Sequence, residues 1–157
     1  MKKFIVLGMA VLIIGFALFN LPSGGQTETG EVLAHSVILH KSPTCGCCGV
    51  YGTYMKNQGY KVEENNIPDA SLSQLKTDLG IPNDLWSCHT SEIDGYIIEG
   101  HIPNEAITKL LNEKPDIKGI GMAGMPSGSP GMPGPKEDFL VYQIEIDGSL
   151  GELFMQI

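Results

Sequence analysis

The sequence predicts an α/β domain in the order β-α-β-α-β-β-α, with an added C-terminal β-hairpin and an N-terminal hydrophobic leader helix. Three observations carry that prediction. Between residues 36 and 113, short runs of β-forming residues alternate with segments whose apolar residues recur at helical spacing. Two Asp-Gly pairs, 94–95 and 147–148, each stand between apolar runs, and that pair is the strongest short hairpin signal. At the start, "MKKFIVLGMAVLIIGFALFN" sets two lysines before an uncharged run from Phe4 to Phe19.

That first stretch has the layout of a signal peptide or a short signal anchor, over residues 1–21. As a helix its apolar run would reach ~24 Å at ~1.5 Å per residue, a little under the ~30 Å of a hydrocarbon core. Either form puts the remainder outside the cytoplasm, in a periplasm or on the outer face of the cytoplasmic membrane, tethered there if the leader stays. Residues 22–35 are rich in Gly, Ser, Thr and Glu and read as a linker. The folded domain is expected over 36–157.

Within it, "SVILH" is a buried strand that Pro43 and Thr44 end. Val50, Tyr51, Tyr54 and Met55 then form a helical face that Gly59 closes. "YKVEE" alternates as a strand. The next helix has Ser71 as its N-cap, Leu72, Leu75 and Leu79 on one face, and Gly80 and Pro82 as stop. "SCHTSEI" and "YIIEG" flank the first Asp-Gly turn, and "PNEAITKLLNEK" follows as a helix with Pro103 in its first position and Ile107, Leu110 and Leu111 inward. Residues 119–135 are dominated by Gly, Pro, Met and Ser and read as an irregular loop. The closing hairpin runs through "FLVYQIEIDGSLGELFMQI". A βαβ unit followed by a hairpin and a helix is the outline of a thioredoxin-like domain.

The chain has 157 residues, of which 42% are apolar and 18% charged, so it can bury a core and is not globally disordered. All its cationic side chains are lysines. Beyond the leader, eight lysines stand against eighteen carboxylates. Such a surface repels phosphate backbones, which excludes nucleic acid as a partner, and it attracts cations.

Three of the four cysteines, Cys45, Cys47 and Cys48, crowd the start of the first helix, and Cys88 follows forty residues later. Amide N–H groups and the helix dipole favour thiolate at that position. Cys45 and Cys48 have the CxxC spacing of a thiol–disulfide oxidoreductase, but Cys47 is surplus to that chemistry. The third strand carries Cys88 where a thioredoxin-like fold faces the CxxC helix, in a stretch, "LWSCHT", that lacks the usual proline. Four sulfurs converging from two elements suit a metal. Zinc normally takes two separate pairs; Cu(I) accepts two or three sulfurs and shares bridging thiolates, so one ion or more than one can be held. A dithiol oxidoreductase and a structural zinc or disulfide module stand as alternatives.

"HKSPTCGCC", "GIPNDLWSCHTSEIDGYIIEGHIP", "KPDIKGIG" and "GMPSGSPGM" resemble the CopG-type periplasmic copper-resistance proteins, and the match runs from about Val37 to the C-terminus. The resemblance implies a thioredoxin-like fold that binds copper through Cys45, Cys47, Cys48 and Cys88, as a multinuclear copper-thiolate protein with redox activity. Copper ions would be its partners, with other copper-handling proteins or exporters beside them. Two positions depart from the family pattern: Tyr51 stands where Trp is common, and Tyr54 where a His is often found.

His89 and His101 read as hydrogen-bonded structural residues, and so does His40; His35 reads as solvated. Met122, Met125 and Met132 fit two roles equally, Cu(I) thioether ligands or a loop over an apolar surface. Trp86 reads as core. The carboxylates, scattered along the chain, read as solvated.

Overall fold

The computed structural model describes residues 34–157. The expected leader, and all of the expected linker except Ala34 and His35, lie outside the described residues. Among the described residues, no helix is long and apolar enough to cross a membrane.

The chain forms β1 (Ser36–Lys41), α1 (Gly46–Asn57), β2 (Lys61–Asn66), α2 (Asp69–Asp78), β3 (His89–Ile93), β4 (Tyr96–Glu99), α3 (Asn104–Glu113), β5 (Gly119–Gly121), β6 (Leu140–Ile144) and β7 (Leu150–Gln156). The seven strands make one mixed sheet in the order β2-β1-β3-β4-β5-β6-β7. β1 runs parallel to β2 and antiparallel to β3, and β3 and β4 are antiparallel. That four-strand unit with its three helices is the thioredoxin-like arrangement the sequence predicts. β5 joins parallel to β4, and the β6–β7 hairpin extends the sheet beyond it.

Period-two alternation sets the faces of the central strands. Ile97 and Ile98 are neighbours on β4 and so point to opposite sides. Ile98 joins the larger core with Leu39, Tyr51, Met55, Ile107 and Leu110. Ile97 joins a smaller one with Ile81, Leu85 and Ile144, against which Trp86 packs. β2, with the sequence KVEENN, is an edge strand of which only Val62 is even half-buried; its charges and amides discourage further strand pairing. Asp94 and Gly95 take φ of 48° and 86°, the left-handed pair that a two-residue hairpin turn needs.

Several local expectations are corrected. Val50 is exposed, because α1 turns only Tyr51 and Met55 fully inward from that face. α2 starts at Asp69, two residues before Ser71, since extended Pro68 already ends the preceding segment. Pro103 stands just outside α3 in extended conformation rather than in its first turn. Residues 119–121, expected to be irregular, form β5 between β4 and β6; three residues are too few for an alternation to register in the sequence.

Leu110 lies wholly inside the larger core. Leu110→Ala should lower unfolding free energy by about 2–5 kcal/mol in urea denaturation. A loss below about 1 kcal/mol would contradict the packing described.

Candidate metal centre

The turn after β1 delivers the first sulfur. Cys45 N donates to the Ser42 carbonyl at 3.1 Å, which sets Cys45 immediately before α1 in extended conformation. Gly46, Cys47 and Cys48 make up the first helical turn. No side chain caps that turn and no acidic residue stands in it, so its free N–H groups and the positive end of the dipole face the thiols alone.

Cys88 comes from the other side, one residue before β3. Its Sγ lies 3.9 Å from Cys47 Sγ, and Cys47 Sγ lies 3.5 Å from Cys45 Sγ. All four sulfurs fall within 4.8 Å of one another. Cys45 and Cys48 are joined as a disulfide, with Cα atoms 5.4 Å apart, while Cys47 and Cys88 are free thiols. The CxxC spacing at a helix start puts those two sulfurs on one turn, so the bond closes without displacing the other two.

Two histidines lie beside Cys88. His101 Nε2 lies 3.0 Å from Cys88 Sγ, and His101 Nδ1 donates to the Pro130 carbonyl at 2.7 Å. A carbonyl can only accept, so Nδ1 carries the proton and Nε2 turns its lone pair toward the sulfur. His89 Nδ1 lies 3.4 Å from the same sulfur, while its buried Nε2 has no hydrogen-bond partner among the described residues. Cys88, His89 and His101 thus form a second donor group that shares Cys88 with the first. Hairpin register explains the pairing. Thr90 stands opposite Glu99 across the turn, Gly100 N donates to the His89 carbonyl, and Gly100, at φ 85°, turns the chain so that His101 meets Cys88.

Burial sets the protonation states. It pushes the Cys88 thiol up to about 12, with the neighbouring Cys47 sulfur adding to the rise. It holds His101 below the usual imidazole range, partly offset by the Pro130 bond. His89 is pushed much further down by burial, then by His101 and Lys76. The centre therefore presents neutral imidazoles and a protonated buried thiol. A soft cation would offset the charge that the thiol takes on when it loses its proton.

The surroundings hold these groups in place. Tyr51 OH donates to the Ile102 carbonyl at 3.0 Å, and its ring packs 4.4 Å from His89 and 5.5 Å from His101. Tyr54 OH accepts from Asn104 N and so ties α1 to the start of α3. Gly131 brings the 122–138 loop over the helix end. With φ at 88°, a Cβ there would come within 3.0 Å of Cys47 O and Tyr51 N, so only glycine suits that crossing. Met122 is core, Met125 is exposed and Met132 is half-buried. His40 is engaged at both nitrogens, by Glu92 and Asn65, and His35 pairs with Asp94 although exposed; neither joins the donor groups. A groove of about 330 Å³ opens beside Cys45 and Cys88, lined by Thr44, Trp86 and Ser87 among others.

Two residues escape the sequence reading altogether. Glu99, expected to be solvated with the other carboxylates, is 0% exposed, and Lys76 is 3% exposed. They form a buried ion pair directly beneath the Cys88 segment. The one visible signal is a charged residue closing the apolar run "YIIE".

Residues 85–132 match the family described as "Protein of unknown function, DUF411". Two solved structures resemble the whole fold. "Copper resistance protein copG- Form 2" is 32% identical with a TM-score of 0.71, over 79% of this chain and 98% of that one. "Copper resistance protein copG- Form 1" is 33% identical with a TM-score of 0.70, over 78% and 96%. Among curated proteins, none matches.

With the Cys45–Cys48 bond intact, the protein should take up one equivalent of phenylarsine oxide, a reagent that bridges paired thiols. Cys47→Ser or Cys88→Ser should each abolish uptake, followed by intact mass. Uptake undiminished in Cys88→Ser would contradict the juxtaposition of the two free sulfurs.

Proposed function

This chain belongs to the CopG-type copper-resistance family, and we propose that it is an exported copper-binding protein. Its cargo is Cu(I), held by the thiolates of Cys45, Cys47, Cys48 and Cys88. The observation that supports this most directly is the gathering of four sulfurs from two separate elements within 4.8 Å. A dithiol catalyst needs two sulfurs. Structural zinc takes its ligands in preorganised pairs, whereas three sulfurs around one helix end and a fourth opposite match the bridging habit of Cu(I).

His101 extends the set. Its Nε2 lone pair and Cys88 Sγ face one another, so a thiolate at Cys88 can bridge one ion among the cysteines and a second beside the imidazole. Capacity for more than one ion follows. All four cysteines serve only when the Cys45–Cys48 bond is reduced. In the disulfide form, Cys47, Cys88 and His101 remain as donors. The apolar run after two lysines supports a location outside the cytoplasm, where copper would be received from, or passed to, other copper-handling proteins.

A second reading draws on the disulfide itself. Cys45 and Cys48 are already closed as a redox pair at a helix start, which favours thiol–disulfide exchange.

Anaerobic titration of the reduced protein with Cu(I) should saturate above one equivalent, and Cys88→Ser should lower that capacity. Unchanged stoichiometry in Cys88→Ser would remove Cys88 from the site. Insulin-reduction turnover that needs Cys45 and Cys48 but survives Cys47→Ser and Cys88→Ser would favour the second reading.

A further inference from the structure

We propose that Glu99 is a positioning residue for Cys88, its buried carboxylate fastening the segment Ser87–Thr90 on both sides of that cysteine. The inference rests on Cys88 serving as a copper ligand. Glu99 Oε1 accepts from Ser87 N at 2.7 Å, and Oε2 accepts from Thr90 Oγ1 at 2.6 Å. Lys76 Nζ donates to Thr90 Oγ1 at 2.8 Å and pairs with Glu99 Oε1. One carboxylate therefore grips the residue before Cys88 and the second residue after it. The grip is itself anchored. Met122 N donates to Glu99 O, and Gly100 N donates to the His89 carbonyl, so the strands on either side fix the carboxylate's own backbone.

Energetics point to positioning rather than stability. Removing a carboxylate and an ammonium from water is costly, and a well-packed apolar pair is often as stable or more so. Apolar side chains, however, cannot accept the Ser87 N–H. Ser87 lies between the short helical turn Asn83–Leu85 and β3, where no strand pairing holds Cys88 itself. A charge-assisted hydrogen bond to the adjacent peptide supplies the missing restraint. Partners one layer behind metal ligands commonly change affinity by about 10–100-fold when lost.

Two double variants separate hydrogen bonding from charge. Lys76→Met/Glu99→Gln removes the ion pair but keeps an acceptor for Ser87 N–H and a donor to Thr90. Lys76→Met/Glu99→Leu removes both, and neither leaves an unpaired buried charge. Cu(I) affinity by competition with bicinchoninate should stay within about threefold of the native protein in the Gln variant and fall about 10–100-fold in the Leu variant. Phenylarsine oxide capture by Cys47 and Cys88 should slow in the Leu variant alone. Leu110→Ala, which destabilises the fold away from Glu99, should leave both readouts unchanged. A folded Leu variant with native copper affinity and native capture rate would overturn the proposal. Should that variant not fold by circular dichroism, Ser87→Pro deletes the same N–H. Trp86, at φ −55° and ψ 131°, already suits the residue before proline, and native behaviour of Ser87→Pro would equally overturn it. A native protein that captures the arsenical but not Cu(I) would sink the copper reading, while capture would still test the positioning.

Discussion

The hairpin register across Asp94 and Gly95 is the constraint on which the rest of the centre depends. It sets Thr90 opposite Glu99 and, two residues further out, Cys88 beside His101. A slip of one residue would move every side chain of the two strands to the other face of the sheet. Cys88 would then leave the helix-end thiols, and Glu99 would enter the larger core without Lys76. Two left-handed residues in the turn thus fix the meeting of groups that lie thirteen residues apart.

What that register assembles is a half-buried cluster of soft donors on an aromatic floor. Tyr51 packs tilted against His89 and edge-on to His101, and the loop through Gly131 covers the start of α1. Burial keeps the imidazoles neutral and the Cys88 thiol protonated, so the cluster carries little charge until a cation arrives. Hard cations gain little from such ligands. A soft monovalent one, bridged by thiolates, gains much. The disulfide adds a second state, with Cys45 and Cys48 occupied by each other. Between the two states the number of free sulfurs differs by two.

Much of this was legible in the residues. The trio at the helix start and the Asp-Gly turn carry strong local signals, and the succession of elements along the chain from β1 to α3 follows from periodicity. Even the Cys88–His101 pairing is written there, since the two residues are equidistant from the centre of the turn; treating each histidine by its immediate neighbours hid it. Other features depend on tertiary packing that no local pattern encodes. Lys76 reads as one more lysine on a polar helix, and Glu99 as the end of a strand; only the sheet brings them together under Ser87. β5 is too short to show a period. Val50 continues the apolar pattern of α1, yet packing of the helix on the sheet leaves it exposed. Closure of Cys45 on Cys48 is one of several pairings that the spacing permits.

On this reading the sulfur preceding β3 completes a site begun at the start of α1. X-ray absorption at the copper edge of the Cu(I)-loaded protein, set beside the same spectrum of Cys88→Ser, tests it most directly. The native protein should show a sulfur-dominated shell with copper–copper scattering, and that scattering should be lost when the Cys88 bridge is removed. A shell of nitrogen and oxygen alone, or a sulfur shell and copper–copper distance indifferent to Cys88, would contradict it.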